Sequence, residues 1–423
     1  FTNVMPAWLQ LKYAHANGLL SDDIFAVANI LKVMSLHRVS DIYGPLPVLH
    51  FGETENPYNS QEECYMHFFE TLDSAIAVLK DVVENNPDAK PLEEVDALYH
   101  GDYSKWLKLA NSVKLRLAMR ICYVKPDLAK QYAMEAVRDG VMETADDSAL
   151  FQSWGSITII NPLEKIWNGY SDTRMGASMD SYLNGYNDPR LPVYFQPVTE
   201  GDNKGEYRGV ANGMPNPQQD DYKAMSAPNV QEKSTDSPLR WMMASEVAFL
   251  RAEGAMRGWT AEMGGTAEEF YNKGIELSFL ENGLSADAAA RYAADETSKP
   301  TDFTDVSAAN TKYNISALGK ITIKWNAGAS EEEQLERIIT QKWIAMFPNG
   351  TEAWSEFRRT GYPLIFPVRS NYPTSGVDTN KQIRRMVFPQ SEYSNNGAAV
   401  QEAVKLLGGP DNGGTKLWWD KKN

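Results

Sequence analysis

Cysteine is nearly absent. Cys64 and Cys122 are the only two, and neither belongs to a CxxC or Cys/His cluster, so a disulfide framework and a structural zinc site are both disfavoured. The redox compartment stays open. Histidine is scarce as well, and His15, His37, His50, His67 and His100 show no HExxH or other metal-ligand spacing. No apolar run approaches the ~20 residues that span a bilayer; the best, IFAVANILKVMSL (24–36), is interrupted by Asn29 and Lys32. Basic clusters are missing too. Lys and Arg number 41 against 56 Asp and Glu, a net charge of −15, which makes nucleic acid or an anionic membrane surface a poor partner. There is no Walker loop, GxSxG elbow or GxGxxG after a strand, and GGTK (413–416) lacks the GxxxxGK spacing. Carboxylates are so numerous that some pair falls at glycosidase spacing by chance. No catalytic constellation can be assembled, and no metal or cofactor is expected.

What remains is a globular composition, 43% hydrophobic and 23% charged over 423 residues, which disfavours disorder and permits a large core. Residue 1 is Phe, consistent with removal of an N-terminal targeting segment before this numbering starts.

Helical signals dominate the first third. Ser21 is placed to cap a helix to about Ser40, with Ile24, Val27, Leu31 and Met34 at helical spacing. DIYGPLP (41–47) ends it. SQEE (60–63) has the spacing of a capping box and opens a helix carrying Tyr65, Phe68, Phe69, Leu72, Ile76 and Leu79. Trp106, Leu109, Ala110, Val113, Leu117 and Ile121 predict a helix over about 103–124, and Pro126 opens another that stops at Asp139-Gly140. The same outline returns at 238–282, with Ala248, Ala252 and Ala255 on a packing face, Trp259 at the turn, and Tyr271 and Ile275 on the return helix. Such pairs are similar to degenerate tetratricopeptide units. The expected fold class is all-α: antiparallel helix pairs over about 21–140 and 238–282, long irregular loops, few short strands, and C-terminal helices over 331–423.

Two stretches break that texture. Residues 150–237 and 295–330 are rich in turn residues with little helical period, and loops of that length in a compact domain are usually functional. Just beyond them, QKWIAMFPNGTEAWSEFRRTGYP (341–363) reads as two helices around FPNG. Asn314-Ile315-Ser316 and Asn349-Gly350-Thr351 match the glycan-acceptor pattern, the second being better read as a turn and helix cap.

Several blocks in order resemble the SusD/RagB family: ANILKVMSLHRVSDIYGPLPV (28–48), KLANSVKLRLAMRI (108–121), YLNGYNDPRLPVYF (182–195), YRGVANG (207–213), ASEVAFLRAEGAMRGW (244–259), YNKGIELSF (271–279), KWIAMFPNGTEAWSEFRRTGYP (342–363), IRRMVFPQSE (383–392) and LLGGPDNGGTKLWWDKK (406–422). The resemblance implies one SusD-like domain over 1–423. It further implies a surface lipoprotein of the outer membrane that binds a nutrient, an oligosaccharide first of all, without turnover. It implies as partner a SusC-type TonB-dependent transporter. The anchor is inferred, since the lipid-bearing Cys is not in this chain. Blocks common to a family with varied ligands are expected to be structural: Trp343, Trp354, Trp418 and Trp419 as packing residues, Arg358 and Arg359 as helix C-terminal charges paired with carboxylates or carbonyls, and Asp188 and Arg190 as fixing a turn.

Sugar capture needs an aromatic face against the C–H side of a ring and planar polar groups for its hydroxyls. LFQSWGSITIINPLEKIWNGYSDTR (150–174) offers Trp154, Trp167 and Tyr170 as faces and Asn161, Asn168, Asp172 and Arg174 as polar groups. Tyr313 and Trp325 in the second loop are further candidates, with Asp41 and Tyr43 behind them. Trp167 has a competing inward-facing reading with Leu163. Other functions stay open: a protein-binding lid on the transporter, with peptide or no free ligand, and more remotely a helical glycoside hydrolase.

Overall fold

The computed structural model describes residues 1–171, 173–214, 219–229 and 237–422. In chain order the longer helices are α1 (Val4–Ala16), α2 (Asp22–Tyr43), α3 (Gln61–Asn85), α4 (Tyr103–Arg120), α5 (Pro126–Arg138), α6 (Ala177–Gly185), α7 (Ala244–Met256), α8 (Ala267–Leu280), α9 (Ala286–Ala293), α10 (Glu331–Ala345), α11 (Gly350–Thr360) and α12 (Gln390–Leu407). Strands β1 (Ala149–Phe151) and β2 (Leu239–Met242) form an antiparallel pair in which Ala149 faces Met242. The fold is therefore mostly helical. The chain divides into two compact units: Phe1–Met142 with Pro373–Asn423, and Glu143–Tyr372.

In the first unit the expected helices form, although Ser21 occupies the N-cap of α2 without a side-chain cap hydrogen bond. The Ser60 hydroxyl accepts the Glu63 N–H at 3.2 Å while the Glu63 carboxylate takes the Ser60 N–H at 2.8 Å, closing both orphan donors of the α3 start. All six apolar positions on α3 are buried. Asp102 caps α4, which is buried nearly all round. The Asn111 amide donates to the carbonyls of Asp139 and Gly140, tying α4 to the end of α5. Helix α4 ends at Arg120, earlier than its apolar period suggests, because Ile121–Val124 close into turns. The motif at the exit of α2 has a physical reason. Asp41 is buried and accepts hydrogen bonds from Tyr65 at 2.5 Å and from the Trp419 indole at 2.9 Å.

In the second unit α7 and α8 make the small-residue crossing. Ala248, Ala252 and Ala255 are buried, and a Cβ at Gly274 would meet the Phe249 ring at 2.7 Å. The Glu281 carboxylate just past α8 accepts the Ser245 N–H at 2.9 Å, capping α7 from its partner. The stretch 341–363 is the helical pair α10 and α11. Arg358 and Arg359 are buried; Arg359 pairs with Glu253 and Glu356, and Arg358 bonds the Trp354 carbonyl and Ser355 hydroxyl. Asp188 and Arg190 form a fully buried ion pair at 2.6 Å that also reaches Ser278 of α8 and Gln341 of α10. Two further features differ from the sequence reading. Helix α6 lies inside the stretch read as loop, and residues 239–242 open the second repeat as a strand.

Candidate functional site

The segment after β1 folds back at once. Trp154 and Ile157 exchange backbone hydrogen bonds of 3.0 and 2.9 Å, and Ser153 accepts the Ile159 N–H at 2.9 Å. This tight hairpin leaves Trp154 37% exposed. Asn161 is buried. Its carbonyl oxygen takes the Leu163 N–H at 3.0 Å and its amide points to the Ser237 and Pro238 carbonyls, so its hydrogen-bonding capacity serves the turn. Lys165–Gly169 then forms one π-type turn closed by Tyr170 N–H to the Lys165 carbonyl at 3.0 Å. Trp167 is half-buried and stacks on Phe347 with centroids 6.0 Å apart, the inward-facing alternative. Tyr170 is 59% exposed, with the Lys165 ammonium 5.7 Å from its ring centroid. The side chain of Asn168, and Asp172, lie outside the described residues.

Arg174 closes the segment. Its guanidinium donates to the Lys223 carbonyl at 3.1 and 2.6 Å and to the Ser171 and Thr173 carbonyls at 3.1 and 2.8 Å. Planar donors in this geometry fix backbone rather than wait for ligand. Behind it the chain pairs as a short parallel bridge: Val210 N–H to the Met175 carbonyl and Ala177 N–H to the Val210 carbonyl, both 2.8 Å. Glycine is required there, since a Cβ on Gly209 would sit 2.9 Å from the Gly176 carbonyl oxygen. The Asp180 carboxylate receives the Gly209 N–H at 2.6 Å; burial raises its pKa, opposed by that bond, Asn184 and Arg208.

These elements enclose a cavity of about 730 Å³ lined by Tyr170, Arg174, Asn212, Gln219, Tyr222 and Lys223, with Met175, Val210 and Met214 as apolar wall. The volume falls in the roughly 300–1,000 Å³ range of small-ligand sites. Tyr222 is held from behind. The Asn310 amide donates to its hydroxyl at 2.6 Å, and the hydroxyl donates to Asp305 at 3.2 Å. Burial, then the Asp305 charge, push the phenol up to about 12. It is a neutral donor and acceptor across the physiological range.

Of the candidates named from sequence, Tyr170 and Arg174 line this cavity, while Trp154, Asn161, Trp167, Tyr313 and Trp325 do not. Tyr313 is buried with Ala177, Phe303 and Phe366, and its carbonyl accepts from Arg369. Trp325 is 8% exposed and packs against Tyr271 with centroids 5.3 Å apart. Both rings are core in the structure. Tyr43 belongs to the cluster around Phe388, and Asp41 to the hydrogen bonds already described. Tyr222, Asn212, Gln219 and Lys223 were not picked out from sequence, although YRGVANG (207–213) holds the backbone that builds the cavity wall.

Among the described residues no helix is long and apolar enough to cross a membrane, and no group of three or more His, Cys, Asp or Glu is placed to hold a metal ion.

No curated protein matches the chain. Solved structures do. A chitin-binding SusD homolog from Flavobacterium johnsoniae is 41% identical, with a TM-score of 0.92 over 100% of this chain and 85% of that one. A SusD-like protein from Bacteroides thetaiotaomicron is 40% identical, with a TM-score of 0.91 over 99% and 85%. A SusD homolog from Bacteroides vulgatus is 36% identical, with a TM-score of 0.89 over 95% and 80%. A family model for SusD-like proteins, the SusD and RagB outer membrane lipoproteins, matches residues 1–420. Helix pairs, ordered sequence blocks and these likenesses agree: the chain belongs to the SusD/RagB family of nutrient-binding outer-membrane lipoproteins.

Proposed function

We propose that this protein captures an oligosaccharide at the outer-membrane surface and passes it to a SusC-type TonB-dependent transporter. One observation carries the reading: an exposed aromatic face, Tyr170, stands at a cavity of about 730 Å³ whose polar lining combines the amides of Asn212 and Gln219 and the Tyr222 phenol with the cations Arg174 and Lys223. Stacking for the C–H face and amide donors and acceptors for hydroxyls are what a pyranose requires. Trp154, exposed on its hairpin in the same chain segment, is a second face. The likeness to a chitin-binding SusD homolog supports N-acetylglucosamine oligomers as the first ligand class. The family match over 1–420 supports treating the chain as one SusD-like domain, held at the membrane by a lipid.

Isothermal titration of the purified chain with chito-oligosaccharides, then with plant glycans and a peptide mixture, tests the proposal. Saturable binding of one glycan class is expected, weakened about 3- to 10-fold by Tyr170→Ala, the worth of one aromatic contact. Silence toward every glycan, with the transporter still recovered in complex, would replace capture by a lid role. Release of new reducing ends would replace binding by hydrolysis.

A further inference from the structure

Three lysines are buried among the described residues: Lys32, Lys114 and Lys342. Lys114 lies 2.6 Å from Asp73 and 2.7 Å from Glu135, and Lys342 lies 2.9 Å from Glu356. That is the usual condition of a buried cation. Lys32 is different. It is 3% exposed in the middle of α2, and no carboxylate of the described residues stands within ion-pair distance of it. Its ammonium donates to His67 Nε2 at 3.2 Å and sits 4.0 Å from the centroid of the Trp8 ring.

Both neighbours are fixed. The Trp8 indole N–H donates to Asn29 Oδ1 at 2.8 Å, which sets the ring from α1 over α2. Burial, with Lys32 and Lys12 adding, lowers His67 to about 4, so the imidazole is neutral and accepts. Burial and the Lys12 charge lower Lys32 to about 8. At neutral pH it still carries its proton, and no carboxylate of the described residues pairs with it.

Lys32 lines a cavity of about 480 Å³ between α1, α2 and α3, walled by Trp8, Lys12, Phe25, Phe51 and His67. Phe25 is braced by His15, stacked at 4.4 Å, and His15 is itself engaged with Asp22 at 2.7 Å. On α3 the cavity meets Glu70, which reaches neither lysine within ion-pair distance. The charges facing the cavity are thus two lysines against one glutamate, in a chain of net charge −15. Aromatic faces surround a buried cation that pairs with no carboxylate among the described residues.

We propose that this cavity is a second binding site, for a small carboxylate carried on a six-membered ring, with the Lys32 ammonium as anchor and Trp8, Phe25 and Phe51 as the faces that hold the ring. It is independent of the Tyr170 cavity. A uronic acid and an aromatic acid share this chemistry, and neutral rings lack it.

The test is ligand-observed NMR and titration calorimetry on the full chain at pH 7, with glucuronate and benzoate as probes and glucose and benzamide as neutral controls. At least one carboxylate is expected to saturate with a millimolar Kd while its neutral analogue does not bind. Which of the two binds distinguishes a sugar acid from an aromatic acid. Lys32→Met should weaken it by about tenfold or more, Lys32→Arg should retain it, and Tyr170→Ala should leave it unchanged. Where Lys32→Met does not fold, acylation footprinting of the unmutated chain replaces it, the carboxylate slowing modification of Lys32. Absence of saturation up to roughly 10 mM, equal binding of the neutral analogues, or full retention in Lys32→Met would overturn the site.

Discussion

Arg359 of α11 grips both oxygens of Glu253 of α7, Nη1 to Oε1 at 2.7 Å and Nη2 to Oε2 at 2.6 Å, with both side chains buried. Arg257 adds a contact to Glu253 at 2.8 Å. Glu356 accepts from Arg359 at 2.7 Å and from Lys342 of α10 at 2.9 Å. Two carboxylates and three cations thus join α7, α10 and α11 in the interior of the second unit. Burial alone would raise the Glu253 carboxyl, but Arg359 and Arg257 hold it well below the usual range.

Truncating the centre of that network leaves two buried carboxylates short of a partner. Arg359→Met is expected to cost about 3–5 kcal/mol, read as a lowered midpoint in urea unfolding. The pH sign follows from the depressed Glu253 pKa. Its stabilisation is complete above the ordinary carboxylate value of 4.5 and is lost as pH falls below it. The parent chain should therefore lose more stability on acidification than Arg359→Met does.

Glu336 of α10 behaves oppositely. Burial raises its carboxyl to about 7, opposed by Arg337 and helped by Glu333, and its Oε1 has no hydrogen-bond partner among the described residues. Between 4.5 and 7 the folded chain holds a proton that the unfolded chain has released, so this group's contribution falls as pH rises through that window. Glu336→Gln is expected to exceed the parent by about 1–2 kcal/mol at pH 8, after discounting for its partial solvent exposure, and to match it near pH 4.5. Urea melts at the two pH values decide it.

Lys32 gives a third signature. With a folded pKa near 8 against 10.5 unfolded, the cost of burying its charge is fully present below pH 8 and relieved as pH climbs to 10.5. Lys32→Met should be more stable than the parent at pH 7 by roughly 2–3 kcal/mol, the gap closing by pH 10.5. Lys114→Met, which strands Asp73 and Glu135, should lose stability at pH 7. Thermal melts of both variants side by side check the contrast.

Two aromatics read alike in sequence should part company in the laboratory. Trp325→Ala removes a buried ring and is expected to cost about 3–5 kcal/mol at any ligand concentration. Tyr170→Ala should leave the melting temperature within a degree or two while weakening glycan binding. A Tyr170→Ala variant that melts like Trp325→Ala would mean that Tyr170 is structural.

The difference between those rings shows what sequence reports and what it withholds. The start of α3 was legible because its chemistry is local: Ser60 with Glu63 closes a capping box within four residues. Helix α6 was not, because ASMDSYLNG has no apolar period and is held by partners far along the chain, such as the Ser181 hydroxyl on the Thr301 carbonyl. Strand β2 exists only through β1, some ninety residues earlier. Among the polar and aromatic candidates, Asn161 spends its amide on a turn and Trp325 its ring on the core, because burial is a property of the whole fold. Tyr222 and Tyr170 share one cavity with Val210 of the Gly176–Val210 bridge, a pairing set by residues distant in sequence.

The Asp41 carboxylate bonds Tyr65, 24 residues away, and Trp419, 378 residues away. One carboxylate thus joins two stretches of the first unit that the whole of the second unit separates in sequence.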